Sequence, residues 1–460
     1  MSDNDTIAAV STAIGAGAIA VVRLSGSEAL VIADRIFSGS EKPSQSESYR
    51  VLHGRLRDPN TGGAVDEVLL TVFRGPGSYT GEDVAEVSCH GGWIVPQRTL
   101  DLLLQNGARL AQPGEFTQRA FLNGKMDLTQ AEAVADLIRA KTDLAQKAAL
   151  SQMEGALSCE VNALREGVLG LLAEVEARLE FPEEEGVPPP DRERLAINLQ
   201  VLTCRLAKLL ATFQEGKLLR VGAKVTIIGK PNVGKSSIFN ALLKDSRAIV
   251  TPVPGTTRDL IEGWLSLAGL PVLLSDTAGI REPGDVVEQE GVLRSKKSIA
   301  EADLVLFVLD SSGKIEDEDL RIVSEMRSKP AIAILNKFDL PPRRLSAGQV
   351  QEATGIPVVI ETSAITGFGL IALTEAVLRL LSNSPKDHGE VIVTNARHAQ
   401  AFVQAKEALD RAEEALRHSL SEEFLCQDLR EALNAMGEIT GQTTPEDVLA
   451  LIFSSFCIGM

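Results

Sequence analysis

The sequence predicts a multidomain protein of mixed α/β and α class. An N-terminal α+β domain (1–123) comes first. A discontinuous helical domain follows in two parts (124–216 and 384–460), with a doubly wound α/β domain (222–383) inserted between them. Three observations carry this expectation. Residues 222–383 alternate β-rich runs with helical stretches. The segments before and after them carry apolar residues at helical spacing. Residues 1–123 instead interleave short apolar runs with Gly, Pro and Ser turns.

In the N-terminal part, AIAVVRLSG, YRVLHGRLRD and DEVLLTVFRG predict strands, and TLDLLLQNGA predicts a helix between them. From about Lys125 the period becomes helical. Thr129 and Glu132 have capping-box spacing. Val161, Leu164, Val168, Leu171 and Val175 fall on one helix face. FPEEEGVPPPDRER (181–194) predicts a loop whose acidic cluster is solvated surface. AKVTIIG, LPVLLSD, ADLVLFVLD, AIAILNK and PVVIETS are the strands of a mainly parallel sheet with helices on both faces. SNSPKDHGE (382–390) is a linker. Near the end, Thr444 as a cap, Pro445 at the first position and the acids Glu446 and Asp447 predict a helix start.

Composition excludes several classes. The net charge of −17 argues against a large sequence-independent nucleic-acid surface, which needs clustered Lys and Arg. The five cysteines (Cys89, Cys159, Cys204, Cys426, Cys457) are scattered and lack CxxC spacing, which predicts neither a disulfide framework nor a zinc site. The acidic N-terminus lacks a basic n-region and no uninterrupted apolar run reaches membrane-spanning length, so a cytoplasmic protein without a membrane partner is expected.

Four motifs stand in order in the inserted domain: GKPNVGKSS (229–237), DTAG (276–279), NKFD (336–339) and TSA (362–364). In the first, a strand ends at Gly229. The backbone amides of Asn232, Val233, Gly234, Lys235, Ser236 and Ser237 can then wrap phosphate oxygens at a helix N-terminus. Lys235 is expected to reach the β- and γ-phosphates and the Ser236 hydroxyl to bind Mg²⁺. Asp276 follows an apolar strand, where a carboxylate holds the Mg²⁺ water shell. Thr277, Ala278 and Gly279 continue that loop, with the Gly279 amide offered to the γ-phosphate. Asp339 selects the base: guanine presents N1–H and an exocyclic amine side by side, and adenine has no such pair. Asn336 and Lys337 brace the base and its loop, and Ser363 and Ala364 place an amide at guanine O6. GTP is the expected ligand, in a Ras-like P-loop fold.

The hydrolytic side is unusual. Ile280 occupies the position where many GTPases carry a water-orienting Gln. The nearby carboxylates Glu282, Asp285, Glu288 and Glu290 are all candidates, and spacing does not choose among them. TPVPGTTRD (251–259) is the expected first switch loop, including Thr251, Val253, Gly255, Thr256 and Thr257, with Thr257 on Mg²⁺. With Asn232 it supplies oxygen ligands suited to a hard monovalent cation, which would neutralise transition-state charge. Arg258 is the rival for that role.

Taken together, GKPNVGKSS, PGTTRD, DTAGIRE, NKFD, SYTGEDVAEVSCHGG, PGEFTQRAFLNGKMDLTQAEAVADLI and the terminal FCIG make the chain resemble the MnmE/TrmE family of tRNA-modifying GTPases over nearly its whole length. The resemblance implies a tetrahydrofolate-binding, dimerising N-terminal domain, a discontinuous helical domain and an inserted G domain. It implies a homodimer that forms a heterotetramer with an FAD-dependent partner and acts on tRNA. The product is a carboxymethylaminomethyl or aminomethyl group on C5 of wobble uridine 34, with the one-carbon unit from a tetrahydrofolate derivative (5-formyl- or 5,10-methylene-). By position it makes Glu288 the residue that orients the hydrolytic water. Asn232, Thr251, Val253 and Thr256 become the potassium site, and Ser236 and Thr257 the magnesium site. Arg23, Glu82 and Lys125 become folate contacts, and Cys457 the C-terminal catalytic cysteine. One departure is Met460, where the family usually has Lys. The alternative reading is a ribosome-assembly GTPase acting as an RNA-binding switch, which would need a basic RNA-binding module.

Overall fold

The computed structural model describes residues 5–180, 191–245, 248–249, 261–276, 297–381, 391–418 and 420–460. Two compact units emerge: Met1–Ala135 with Met153–Leu172 and Leu429–Met460, and Asp136–Gln152 with Ala173–Asp428.

In the first unit a seven-stranded sheet contains β1 (Ile7–Val10), β2 (Gly15–Ser25), β3 (Phe37–Gly39), β4 (Arg50–Arg57), β5 (Ala64–Phe73), β6 (Val84–Gly92) and β7 (Arg109–Leu110), ordered β3-β4-β5-β6-β2-β1-β7. Its pairings are antiparallel except β1 with β7. Period-2 alternation decides the facing: in β4, Leu52 and Leu56 are buried while His53, Arg55 and Arg57 are exposed. The helices Ala29–Ile36 and Ile94–Gln105 cover the apolar face, packing Ile32, Ile36, Leu100 and Leu103 into one core with Leu56, Leu70 and Val87.

Two helix starts differ from expectation. The helix Leu128–Arg139 is capped by Asp127, whose carboxylate accepts from the amides of Thr129 (2.8 Å) and Gln130 (3.0 Å). Gln130 Oε1 accepts from the Asp127 amide in return, at 3.0 Å. The capping box is therefore Asp127–Gln130 and not Thr129–Glu132, because a carboxylate two residues earlier outcompetes the Thr129 hydroxyl. That hydroxyl instead lies 2.7 Å from Ser158 Oγ. The helix Glu446–Ser454 has Pro445 in the N-cap position, and the Thr444 hydroxyl donates back to the Glu438 carbonyl at 3.0 Å. Beyond that helix the chain runs along the N-terminal sheet region. The Gly114 amide donates to the Cys457 carbonyl (3.2 Å) and the Phe116 amide to the Met460 carbonyl (3.1 Å). Gly459, at φ 96°, lies so close to β1 that a Cβ would stand 2.5 Å from the Val10 carbonyl oxygen.

The second unit holds another seven-stranded sheet: β8 (Ala223–Ile228), β9 (Ala248–Ile249), β10 (Ile261–Leu267), β11 (Leu270–Asp276), β12 (Leu304–Asp310), β13 (Ala331–Asn336) and β14 (Val358–Glu361), ordered β14-β13-β12-β8-β11-β10-β9. Strands β14, β13, β12, β8 and β11 run parallel, and β10 and β9 add antiparallel at one edge. Central β12 is buried on both faces, as a doubly covered strand must be. Leu306 and Val308 meet the helices Lys235–Asp245 and Leu370–Leu381, whereas Val305, Phe307 and Leu309 meet Asp317–Met326 and Ala347–Thr354.

Two further helices of this unit pack together, Arg192–Ala211 and Ala396–Arg417. Leu195, Leu199, Leu202, Leu206 and Leu209 form the buried stripe of the first, and Ala405, Ala408, Ala412 and Ala415 are buried on the second. By length and composition one stretch among the described residues, Arg192–Val221, is long and apolar enough to cross a membrane. Its leucine stripe is buried in the protein.

Candidate nucleotide site

The carboxyl ends of β8, β11, β12, β13 and β14 face one edge of the parallel sheet, and the motifs sit on the loops that leave them. β8 ends at Ile228, and Lys235 and Ser236 begin the helix Lys235–Asp245. The loop between them needs backbone that side chains resist. Asn232 is left-handed at φ 65°. Gly234 stands at φ 100°, and a Cβ there would lie 2.1 Å from Asn336 Nδ2.

Lys235 is buried, and its ammonium donates to the carbonyls of Gly229 (2.8 Å) and Lys230 (2.7 Å). Burial pushes its pKa below the usual lysine value, opposed by the charges of Asp276 and Glu318. Ser236 Oγ donates to Asp276 Oδ2 at 2.7 Å, so a P-loop hydroxyl and the carboxylate at the end of β11 converge on one point. Val233 is buried, while Asn232 and Ser237 are exposed.

Asn336, at the end of β13, is 2% exposed and ties three motifs together. Its Nδ2 donates to the Val233 carbonyl at 3.0 Å, and its Oδ1 accepts from the Ala364 amide at 3.2 Å. Lys337 is left-handed (φ 63°), and its ammonium pairs with Asp310 Oδ2 at 2.7 Å. Burial would raise the Asp310 carboxyl, but the bonds from Lys337 and Ser312 hold it below the ordinary aspartate range. Asp339 is exposed on the same loop. Ser363 is buried and its Oγ accepts from the Thr366 amide at 3.2 Å. Asn232, Val233, Gly234, Lys235, Ser236, Ser237, Asp276, Asn336, Lys337, Asp339, Ser363 and Ala364 thus gather at one edge of the sheet. Thr251, Val253, Gly255, Thr256, Thr257, Arg258, Thr277, Ala278, Gly279, Ile280, Glu282, Asp285, Glu288 and Glu290 lie outside the described residues.

Sequence reasoning missed several residues here. Lys230 forms ion pairs with Glu316 and Asp319, both at 2.8 Å, at the start of the helix Asp317–Met326. Burial disfavours its charge, but the hydrogen bonds it donates to both carboxylates outweigh that and raise its pKa. The available signal was the acidic cluster EDED at a helix start. Asp310 was also missed, and only three-dimensional adjacency to Lys337 shows its role.

In the first unit, Glu82 accepts from Ser25 Oγ (2.7 Å) and from Arg119 Nη1 (3.1 and 3.2 Å). Arg23, two residues before Ser25 on β2, pairs with Glu86 at 2.8 Å, and its guanidinium lies over the rings of Tyr79 (5.4 Å) and Phe116 (5.5 Å). Lys125 donates to the Pro76 carbonyl at 2.7 Å, and its Cγ is 3.5 Å from where a Cβ on Gly81 would stand. Each of the three thus lies on or against the segment 76–82: Arg23 through Tyr79, Glu82 within it, and Lys125 through Pro76 and Gly81. Arg119, which sequence reasoning passed over, also bonds Asp5 (2.6 Å) and Glu115 (3.1 Å). Its Glu115 partner at i,i+4 was the signal. The Cys457 side chain is exposed, three residues past the helix Glu446–Ser454.

The chain is similar to known proteins along nearly its whole length. Residues 6–125 match the model of the GTP-binding protein TrmE N-terminus, and residues 128–457 match the MnmE helical domain. The tRNA modification GTPase MnmE of Geobacillus kaustophilus is 45% identical over 463 residues, covering 100% of both chains. That of Thermoanaerobacter pseudethanolicus is 43% identical over 458 residues, with 99% of each chain covered. The Desulforamulus reducens protein of the same name is 42% identical over 459 residues, again covering 99% of each. On its P-loop, its guanine-type loops and this full-length likeness, the chain belongs to the MnmE family of tRNA modification GTPases.

Proposed function

We propose that this protein is a GTP hydrolase acting in tRNA modification, with tRNA as substrate, and that its turnover is stimulated by potassium. The observation that carries the nucleotide reading is Asn336, whose single side chain links the P-loop, NKFD and TSA loops. That side chain ties the P-loop to two loops already joined by the bond from the Phe338 amide to the Thr362 carbonyl. Once fixed, they present backbone amides to phosphates and the Asp339 carboxylate to the guanine N–H pair. When phosphates enter, the Lys235 ammonium exchanges the Gly229 and Lys230 carbonyls for phosphate oxygens. Its partial burial strengthens that attraction.

Ser236 Oγ and Asp276 Oδ2 fit Mg²⁺: both are hard oxygen donors, and their 2.7 Å approach brings them to one point beside the phosphate loop. Bound there, the ion would supply charge neutralisation at the phosphates. Asn232 with Thr251, Val253 and Thr256 would hold potassium, Thr257 would complete the magnesium site, and Glu288 would orient the attacking water. Cys457 would act beside the folate region.

The finer reaction rests on family membership. It is the addition of a carboxymethylaminomethyl or aminomethyl group to C5 of uridine 34, from a methylene-tetrahydrofolate, by a homodimer working with an FAD-dependent partner in the cytoplasm. Glu82 fits a pterin because a carboxylate accepts paired N–H donors, and Ser25 and Arg119 already orient it. Family membership favours this over a ribosome-assembly role. Mass spectrometry of wobble uridines in tRNA from cells lacking this protein tests it. The aminomethyl-type modification should vanish and return with the intact gene. Unchanged wobble uridines in the deletion strain would refute it.

A further inference from the structure

The loop that carries Asp339 is stapled to the neighbouring loop by an aromatic stack that the nucleotide motifs do not account for. Phe338, inside NKFD, lies parallel to Phe368, with ring centroids 5.8 Å apart and an interplanar angle of 11°. The Arg343 guanidinium covers Phe338 at 3.9 Å, and its Nε donates to the Phe338 carbonyl at 3.0 Å. Backbone bonds run the same way: the Phe338 amide donates to the Thr362 carbonyl, and the Ser363 amide to the Phe368 carbonyl, both at 3.0 Å. Phe368 is 55% exposed, so core burial does not explain its place. Its carbonyl closes the turn that presents Ser363 and Ala364, while its ring stacks on Phe338, the residue immediately before Asp339.

We infer that the Phe368–Phe338–Arg343 stack is a positioning device for guanine recognition, fixing the Asp339 carboxylate relative to the Ala364 amide. A carboxylate that must accept two N–H groups at once tolerates little angular drift. The neighbours on either side of Asp339 otherwise leave it on an exposed loop. Offset-stacked rings and a cation over a ring add modest, directional attraction, which suits a brace better than a core. This inference rests on Asp339 reading the guanine edge.

The test measures equilibrium binding of GDP and of inosine diphosphate, which lacks the 2-amino group, to the full-length protein. Phe368→Ala should weaken GDP binding roughly threefold to tenfold and inosine diphosphate binding less, so the ratio between them contracts. Turnover at saturating GTP should stay at the wild-type value, and Phe368→Tyr should restore the ratio. Arg343→Ala should contract it in the same direction by about twofold to fivefold. A GDP preference in Phe368→Ala equal to wild type overturns the inference, whether both ligands bind normally or both weaken by one factor. Asp339→Ala separates the two claims. If it too leaves the preference intact, the guanine reading fails and the stack inference falls with it. If it abolishes the preference while Phe368→Ala does not, only the stack inference is wrong.

Discussion

The Asn336 side chain donates to the Val233 carbonyl across 103 residues of sequence, at 3.0 Å and out of contact with water. Truncation in Asn336→Ala leaves that carbonyl and the Ala364 amide without their partner. Each buried group left unpaired costs about 1–3 kcal/mol. Urea unfolding should show a loss of that size, and GTP affinity should fall with it. Wild-type stability and affinity in the variant would mean that the three loops are held by something else.

At Gly234 the obstacle is geometric. A left-handed residue with a Cβ costs about 1–3 kcal/mol, and here the new atom also strikes Asn336 Nδ2. Gly234→Ala should reduce GTP affinity by about tenfold or more. Gly348→Ala is the contrast: this helical glycine has nothing within 4 Å of an added Cβ. That change should stabilise the protein by about 0.4–1 kcal/mol. Calorimetry and nucleotide titration of the pair would show whether backbone conformation, and not mere loss of a glycine, matters at 234.

Acid should loosen the first unit through one ion-pair network. Burial would raise the Glu115 carboxyl above its ordinary 4.5, but Arg109, the Gln112 amide and Arg119 outweigh it and hold it lower. Asp5 behaves alike: burial raises it, and Arg109 and Arg119 bring it below 3.8. Folded-state values below unfolded ones give stability that is complete above the ordinary carboxylate range. It is lost as pH falls through the lowered values. Unfolding midpoints should therefore drop steeply below about pH 4.5. Glu115→Gln should flatten that drop while costing about 3–5 kcal/mol at neutral pH. A parallel pH profile in the variant would exclude this network as the source.

Potassium dependence is read from rates in KCl against NaCl at equal ionic strength. Hydrolysis should be faster in KCl, and Asn232→Ala should abolish the difference. Equal rates in the two salts for the wild type would rule out the cation role.

Glu288→Ala should retain GTP affinity and lose about 100-fold or more in turnover, the scale of a positioned general base or water-orienting group. Unchanged single-turnover hydrolysis would point to Glu282, Asp285 or Glu290 instead.

The legible parts of the sequence were those where chemistry and periodicity coincide. β12 declares itself by an unbroken apolar run, and the P-loop by glycines that only a phosphate cradle or a tight turn requires. Strand β10 was not foreseen, because its hairpin turns on Ala268–Gly269, with Ala268 left-handed at φ 48°, and not on the usual Asn-Gly signal. The Asp127 cap was missed because Thr129 and Glu132 have the same spacing and composition as a capping box, and only geometry separates the two. Lys230–Asp319 and Lys337–Asp310 join side chains distant in sequence: the EDED run marks an acidic helix start, but nothing local names the lysine that meets it.

Gly459 rests against the Val10 carbonyl, and the Met460 carbonyl is bonded to the amide of Phe116. A ribosome adding about 5–20 residues per second makes these partners roughly 20 seconds to a minute and a half apart. The α/β sheet, whose strands all lie between Ala223 and Glu361, needs no such wait. During translation the first-made strand must stay available until the last residues emerge, so chaperone occupancy of nascent chains should concentrate on the N-terminal segment.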